Sequence, residues 1–413
     1  MGNFLTLDDL NVQGKSLLVR CDFNVPIHDH IILDTTRIDR AAATLLELMD
    51  KGAKVIVISH LGRPNGVDPK LSLKIIQEAL SDALYGAPVH FVSDCIGPNV
   101  QQAIQNLAPG EILLLENLRF HPEEEQNDPD FAKKLARLGD IYVNDAFSTA
   151  HRAHASVDEL PKHMPIVALG RLMQAEINAL TIALENPKRP VMAIVGGSKV
   201  STKLQLLKNL IEKVNILILG GGMANTLLYA QGYEIGKSLC EEGMKDMALE
   251  ILAYGIQKKC EIILPSDVII TQKIEPNAHF KRVTIENIPK DFYIADIGST
   301  TRRAISANLK GCHTVLWNGP LGVFEVPPFD AGTTAVAKTI AEQTREKSLL
   351  SIAGGGDTVA ALSKAGVLQD FTYVSTAGGA FLEWLEGRIL PGVTALERVA
   401  PEGPHCPIKK PSS

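Results

Sequence analysis

The sequence predicts an α/β protein made of two doubly wound, Rossmann-like parallel-sheet domains joined by a hinge helix. The first observation is a pattern repeated along the chain, in which a short apolar run ends in a glycine-rich or polar loop and a segment of helical period follows. The second is that the runs are apolar throughout, which is typical of parallel strands buried on both faces. The third is the length of 413 residues, which exceeds one ordinary core. Roughly eleven such strands therefore favour two sheets over one.

The predicted strands divide between the two halves of the chain. Amphipathic segments such as SLKIIQEALSDAL lie between them and predict the covering helices. The strands of the first half are SLLVR, KVIVISH, VHFVSD, EILLLEN and IYVND, and those of the second half are VMAIVGG, NILILGG, EIILPSD, HTVLWNG, SLLSIAGG and TYVSTAGG.

The boundary between the domains is predicted near a long amphipathic helix. This helix spans Leu172 to Leu184, and Asn186-Pro187 ends it. We therefore expect an N-terminal domain over residues 1–170, an interdomain helix over 171–187, and a C-terminal domain over 188–386.

Composition excludes several classes of protein. A formal net charge of −6, with 45% hydrophobic and 21% charged residues, indicates a soluble globular chain without the basic excess that nucleic-acid binding needs. Six cysteines without any CxxC pair are typical of reduced thiols in a cytosolic protein. No secretion signal or membrane-spanning segment is predicted. The start MGNFLT matches the myristoylation pattern, but Thr6 followed by Asp9 is more simply a helix cap.

A glycine turn in AIVGGSKVSTKL indicates an anion site. Gly196 and Gly197 follow a predicted strand, and Lys199 and Lys203 are expected on one face of the first helical turns. Cations are unfavourable at a helix N-terminus, so a bound phosphate is expected to offset them. The alternative is two solvated lysines. The spacing is neither a Walker A loop nor GxGxxG, which disfavours an NAD-dependent dehydrogenase.

A second glycine turn, in SLLSIAGGGDTVAAL, carries a carboxylate. Asp357 can be explained as a helix N-cap alone. A carboxylate beside a phosphate cradle is also where a nucleotide-bound Mg²⁺ is held. The two roles are compatible, and four glycine turns in this half predict a nucleotide site.

Cationic side chains follow the strands of the first half. Because loops after parallel strands meet at one crevice, we expect these side chains to bind a small polyanion. Asp22 and Asn24, after the first strand, are expected to accept hydroxyl groups of the same ligand. The cationic residues are Arg37, His60, Arg63, Arg119, His151, Arg152 and His154.

One half that binds a nucleotide and another that binds an anionic metabolite together predict phosphoryl transfer. No catalytic loop or Ser/His/Asp set that would deprotonate an alcohol is found. An acceptor that is already an anion, such as a carboxylate, needs no base.

Nine motifs occur in order along the chain, namely RCDFNVP, SHLGRP, ENLRFHPEE, VNDAF-TAHRAH, GGSKVSTKL, GGGMANT, WNGPLGVFE, GGGDTVAA and ST-GGAFLEWLEG. Any one of them is weak, but in this order and spacing they make the chain resemble the phosphoglycerate kinase family over nearly its whole length.

The resemblance implies a function. The family reaction is the reversible transfer of the acyl phosphate of 1,3-bisphosphoglycerate to MgADP, giving 3-phosphoglycerate and MgATP in glycolysis and gluconeogenesis. It also implies a cytoplasmic monomer and a C-terminal segment, 387–413, that returns to the N-terminal domain.

The resemblance further implies the site residues. Arg37, Lys199 and Lys203 are the catalytic cations, and Asp357 is associated with the metal. The phosphoglycerate-binding residues are Asp22, Phe23, Asn24, Arg37, His60, Leu61, Gly62, Arg63, Arg119 and Arg152. The nucleotide-binding residues are Gly197, Lys203, Asn318, Pro320, Val323, Glu325, Gly355, Gly356, Asp357 and Thr358.

Three positions depart from the family pattern, namely Ser148, Ser299 and Ala377. Ala377 stands where glycine is usual and would cost on the order of 1 kcal/mol if its backbone needed a positive φ. The alternative function is a catalytically silent nucleotide-binding scaffold of the same fold. Such a scaffold is expected to lose some of the catalytic residues, whereas this chain retains them all.

Overall fold

The structure is a computed structural model that describes residues 4–397. The described chain forms two compact units. The first contains the described residues up to Ala146, then Arg152–Gln174 and the described residues from Pro391 onward, and the second contains Phe147–His151 and Ala175–Leu390. The N-terminal glycine, Cys406 and the tail 400–413 lie outside the described residues.

The first unit is built on a six-stranded parallel sheet in the order β5-β6-β4-β1-β7-β8. Its strands are β1 (Ser16–Arg20), β2 (Ile27–His28), β3 (Ile31–Ile32), β4 (Lys54–Ile58), β5 (Val89–Val92), β6 (Ile112–Leu115), β7 (Ile141–Asn144) and β8 (Val167–Leu169), of which β2 and β3 form a separate hairpin. Its helices are α1 (Thr36–Asp50), α2 (Ile76–Ala83), α3 (Pro98–Asn106), α4 (Pro129–Ala136), α5 (Leu160–Lys162), the start of α6 (Arg171–Leu184) and, late in the chain, α14 (Pro391–Thr394).

The second unit has its own six-stranded parallel sheet, in the order β11-β10-β9-β15-β16-β17. Its strands are β9 (Val191–Val195), β10 (Ile216–Leu219), β11 (Glu261–Ile263), β12 (Asp267–Thr271), β13 (Phe280–Thr284), β14 (Tyr293–Ile297), β15 (Thr314–Asn318), β16 (Leu350–Gly354) and β17 (Tyr373–Ser375). Its helices after α6 are α7 (Leu204–Lys213), α8 (Gly221–Ala230), α9 (Lys245–Lys258), α10 (Ser299–Leu309), α11 (Ala331–Arg345), α12 (Gly356–Lys364) and α13 (Gly378–Leu385).

The predicted fold class is confirmed, because all eleven predicted runs form parallel strands in two sheets. Central strands such as β6 and β7 are buried at every residue, as continuous apolar runs predict. Three features were not predicted, the first of which is the β2–β3 hairpin. β8 completes the first sheet, and β12, β13 and β14 form an antiparallel sheet beside the second.

The predicted hinge helix is present as α6, one residue longer at its start than expected. Asp145, at the end of β7, caps this helix by accepting the backbone N–H groups of Leu172 at 2.8 Å and Met173 at 3.2 Å. Gly170 is required before the helix, because a Cβ atom there would lie 2.2 Å from Oδ1 of Asp145. Thr6 and Asp9 likewise form the predicted capping box.

Other sequence expectations bear on the described part of the chain. Its five cysteines are all free thiols, as expected. Among the described helices, none combines the length and the apolar character needed to cross a bilayer. Ala377 has φ −90° and is the N-cap residue of α13, so it does not have the positive φ that would have strained it.

Candidate active site

In the first unit the polar strand ends meet at the carboxyl edge of the sheet. Strand β1 is central, with β4 and β6 on one side and β7 on the other, so the chain reverses its direction of winding at β1. Ligands of open α/β sheets bind at such a switch point. The loops after these four strands carry the predicted phosphoglycerate residues.

The two acceptor side chains of this site, Asp22 and Asn24, each accept a hydrogen bond from another part of the site. Asp22 accepts a hydrogen bond from the guanidinium of Arg37, in the first turn of α1. The Oδ1 atom of Asn24 accepts the backbone N–H of Gly62 at 2.9 Å, and Gly62 has φ 64°. The loops after β1 and β4 are thereby held together, and the positive φ explains why glycine stands at this position.

His60 is buried at the end of the β4 segment and is held by an arginine that was not among the predicted site residues. The Nη2 atom of Arg20 lies 3.1 Å from Nδ1 of His60, and Arg20 is itself buried. A guanidinium has no acceptor atom, so Nδ1 of His60 accepts and Nε2 carries the ring hydrogen. Burial, and then the charges of Arg20 and Arg119, lower the pKa of His60 well below its ordinary value. His60 is therefore a neutral donor.

Arg119 and Arg152 contribute to the same positive field. Burial lowers the pKa of Arg119, Glu125 opposes that shift, and Arg152 adds to it. Arg152 also lowers the pKa of His60, as does His154. Arg119 is buried, donates to the backbone oxygen of Gly62 at 2.6 Å and pairs with Glu125 at 3.1 Å. The structure thus brings these cations together.

Buried residues under the site fix its loops. Phe23 and Leu61 are buried, so their side chains pack beneath the loops of the site. Asn117, which was not predicted, accepts the N–H groups of Leu61 at 3.3 Å and Arg119 at 3.1 Å. A buried amide directly after a strand was the available signal. Arg63, by contrast, is exposed on its loop.

The second unit places its glycine turns at a corresponding switch point, where β9 and β15 are neighbours. The N–H of Gly196 donates to the oxygen of Asn318 at 2.9 Å. A Cβ atom on Gly196 would lie 1.8 Å from the backbone oxygen of Pro320. Only glycine allows these two strand ends to approach so closely.

Lys203 is a partly desolvated cation in this turn. Its Nζ atom donates to the oxygen of Gly196 at 2.8 Å and to Oδ1 of Asn318 at 2.7 Å. Burial lowers the pKa of Lys203 to about 8, and the carboxylate of Asp357 opposes the shift. An anion beside this ammonium would stabilise its charged form.

The expectation that Lys199 and Lys203 share a helical face is wrong. Lys199 is exposed and precedes a 3₁₀ turn at Ser201–Lys203, and α7 begins only at Leu204. The turn at Gly196 and Gly197 is followed by non-helical residues and a 3₁₀ turn before α7 begins. A spacing of four residues therefore does not place the two lysines on one face of a helix.

The glycine turn that carries Asp357, before α12, also differs from expectation in one respect. Gly355, with φ 99°, is the N-cap of α12, so Asp357 is the second helical residue and not the cap. Asp357 is still in the first turn, where a carboxylate interacts favourably with the helix dipole. Thr358 is buried and its Oγ1 accepts the N–H of Gly319 at 2.7 Å.

Part of this site lines a cavity of about 500 Å³ in the second unit, a size typical of small-ligand sites. Its lining includes the predicted residues Gly197, Pro320, Val323, Glu325 and Asp357. It also includes Asp296, which had no predicted role. Burial raises the pKa of Asp296 to about 7, and its Oδ2 accepts the N–H of Gly332 at 2.6 Å.

Comparison with known proteins gives one consistent result. The family model described as phosphoglycerate kinase matches residues 7–388. A phosphoglycerate kinase of Rhodospirillum centenum is 55% identical over 394 residues, covering 95% of this chain and 99% of the relative. One of Methylorubrum extorquens is 54% identical over 398 residues, with 96% and 99% covered.

Solved structures agree with these sequence relatives. The phosphoglycerate kinase of Coxiella burnetii superposes with a TM-score of 0.89 at 40% identity, and 95% of this chain and 99% of that chain are covered. The enzyme of Pyrococcus horikoshii gives a TM-score of 0.75 at 30% identity, with 95% and 98% covered.

Proposed function

The chain belongs to the phosphoglycerate kinase family, and from this premise we propose how its residues carry out the family reaction. The enzyme is a phosphotransferase with a carboxyl group as acceptor. It reversibly transfers the acyl phosphate of 1,3-bisphosphoglycerate to ADP, giving 3-phosphoglycerate and ATP.

Phosphoglycerate is proposed to bind in the first unit. His60, Arg119 and Arg152 would hold its phosphate, because the charges of both arginines act on the neutral donor His60 and on each other. Asp22 and Asn24 would orient the ligand, with Asp22 also fixing Arg37. Arg37, at the half-exposed start of α1, is proposed to meet the migrating phosphoryl group. Phe23, Leu61, Gly62 and Arg63 complete this proposed set.

The nucleotide is proposed to bind in the second unit. Its base and ribose would enter the cavity past Val323, Pro320 and Glu325, and its phosphates would lie at Gly197 and the start of α12. Asn318, Gly355, Gly356 and Thr358 would shape the phosphate end. Lys199 and Lys203 are proposed as the cations of the transferred group.

The observation that carries this assignment is the environment of Lys203. Its ammonium donates to the backbone oxygen of Gly196 at 2.8 Å and to Oδ1 of Asn318 at 2.7 Å, burial lowers its pKa to about 8, and the negative charge of Asp357 opposes that shift. An anionic ligand beside this ammonium would offset the solvation that it loses on burial.

No proton transfer is needed in the chemical step. In the direction of ATP synthesis, the β-phosphate oxygen of ADP bonds to phosphorus while the bond to the carboxylate oxygen breaks, and the carboxylate leaves as an anion. Catalysis is then positioning and charge stabilisation, which the fixed donors of the two sites supply.

A magnesium ion is proposed to accompany the nucleotide. Asp357 fits it, because its carboxylate is a hard oxygen donor on the cavity wall beside the proposed phosphate position. When bound, the ion would neutralise phosphate charge, while Asp357 would hold it in place.

The remaining proposals concern the molecule in the cell. We propose that the protein is a cytoplasmic monomer and that it has no nucleic-acid partners. The net charge of −6 supports the second of these proposals. We also propose domains at 1–170 and 188–386, the interdomain helix 171–187, and the return of segment 387–413 to the first domain. The packing of α14 on the π-helical turn Ala155–Glu159 supports that return.

A coupled assay with 3-phosphoglycerate and ATP tests the proposal. Turnover that requires Mg²⁺ and falls in the Asp357→Asn variant is expected. Absence of turnover in a folded protein would favour the silent scaffold instead.

A further inference from the structure

A second group of ligand-type side chains lies in the first unit, away from the switch point. The carboxylate of Asp94, the thiol of Cys95 and the imidazole of His121 each offer one atom, and these atoms lie within 4.8 Å of one another. We propose that they form a binding site for Zn²⁺, distinct from the Mg²⁺ of the nucleotide.

The topology of the sheet brings these residues together. Asp94 and Cys95 follow β5, and His121 follows the 3₁₀ turn Leu118–Phe120 after β6. Strands β5 and β6 are parallel neighbours at the edge of the sheet, so their following loops are adjacent. The backbone N–H of Glu116 donates to the backbone oxygen of Asp94 at 3.3 Å, and this hydrogen bond connects the two loops.

The ligand set suits zinc in number and type. Thiolate, imidazole and carboxylate are its three protein ligands, and a water would complete a tetrahedral site. Bond lengths of about 2.0–2.3 Å place tetrahedral ligand atoms roughly 3.3–3.6 Å apart. The distances between the three ligand atoms, at most 4.8 Å, exceed the tetrahedral values by no more than about 1.5 Å. Mg²⁺ prefers oxygen ligands and would not select a buried thiol.

The ligands are partly oriented already. Nε2 of His121 lies 2.9 Å from Oδ1 of Asp94, and the imidazole stacks on Phe131 with the ring centroids 5.3 Å apart. The N–H of Cys95 donates to the same carboxylate at 2.7 Å. The ion pair joins Asp94 and His121, and the buried thiol of Cys95 supplies the third ligand atom.

The electrostatic environment favours a dication. Cys95 is buried, and the negative charges of Asp94 and Glu124 both act on it. Zn²⁺ would bind the thiolate, release the thiol proton to the solvent, and place two positive charges among these carboxylates.

The test is a Co²⁺ and Zn²⁺ titration of the full-length chain. Because His405 and Cys406 of the tail offer a second His/Cys pair, the reference protein carries His405→Gln and Cys406→Ser. Co²⁺ bound by a thiolate gives a charge-transfer band in the near ultraviolet, and one equivalent of Zn²⁺ is expected to abolish it. A tenfold excess of Mg²⁺ should leave the band unchanged.

Variants assign the ligands. Cys95→Ser should remove the band, and His121→Gln, at a half-buried position, should weaken Co²⁺ binding by more than tenfold. Cys312→Ser, another buried thiol, and His90→Gln, which only loses a pair with Glu111, are the matched controls. Kinase activity within about twofold of the reference shows that each variant is folded.

Three results would overturn the site. They are absence of the band in the reference protein, an unchanged band in Cys95→Ser, and displacement of the ion by Mg²⁺. If Cys95→Ser does not fold, unchanged Co²⁺ affinity in His121→Gln decides against the proposal on its own.

Discussion

Lys203 and Lys199 differ in environment although both belong to one motif. Lys203 is held by Gly196 and Asn318 in a desolvated position, whereas Lys199 is exposed. A charge in a low-dielectric site interacts more strongly with a ligand than one in water. The two lysines should therefore contribute unequally to catalysis.

We expect Lys203→Ala to lower kcat by about 10²–10³, as removal of a preorganised donor does, and Lys199→Ala to lower it less. Steady-state kinetics measures both, with circular dichroism as the control for folding. Lys208→Ala, at an exposed position of the following helix α7, is the matched control. Losses below about fivefold for both lysines would mean that they are solvated surface residues.

The pKa of Lys203 also predicts a pH dependence. Because this pKa is lowered to about 8, the ammonium loses its proton above pH 8 in the free enzyme. Accordingly, kcat/KM for the nucleotide should fall as the pH rises through 8. Lys203→Arg keeps its charge at these pH values. If the variant shows the same fall, another group is responsible.

At the scale of elements, the cap of α6 joins a strand end to a helix start. Asp145 is buried, and burial raises its pKa to about 7, although the N–H groups of Met173 and Leu172 oppose the shift. The folded state therefore binds a proton more tightly than the unfolded state. The associated stability is fully present below pH 4 and is lost as the pH rises through 7.

Asp145→Asn tests this linkage, because the amide keeps an acceptor for the helix N–H groups and cannot ionise. Between pH 4 and 7 the wild type should lose up to about 1.4 kcal/mol per pH unit relative to the variant. Urea unfolding at pH 5 and 7 measures the difference. Asp140→Asn, an exposed residue just before the same strand, is the control. A difference independent of pH would show that Asp145 is not protonated in the folded protein.

At the scale of the whole molecule, each unit has its own sheet and its own set of ligand-type side chains. Arg119 and His60 belong to the first unit, and Lys203, Glu325 and Asp357 belong to the second. Substitutions in one unit should therefore affect one ligand.

We expect Arg63→Ala and Arg119→Ala to weaken 3-phosphoglycerate binding by about one to two decades, the loss of about 1.5–3 kcal/mol typical of a hydrogen bond to a charged group. ADP binding should be unchanged. Glu325→Ala should show the reverse. Calorimetric titration measures the affinity for each ligand. Arg137→Ala, at an exposed position of the first unit, is the control. Equal weakening of both ligands by one substitution would contradict the assignment of ligands to units.

The sequence alone determined the two parallel sheets, because buried strands need continuous apolar runs and the turns after them need glycine. It also determined which loops carry charge, since loops after parallel strands share one edge. These signals are local, and eleven strands and the helix α6 could be read from them. The motifs in order were sufficient to identify the family.

Only the tertiary structure decided features that depend on distant residues. Strand β13 is mostly exposed and β8 has only three residues, so neither forms a long apolar run, and the pairing in the structure is what reveals them. The role of Arg20 behind His60, the start of α7 after Lys199, and the desolvation of Lys203 follow from packing. Burial changes the free energy of a charge through its surroundings, and a linear sequence does not specify those surroundings.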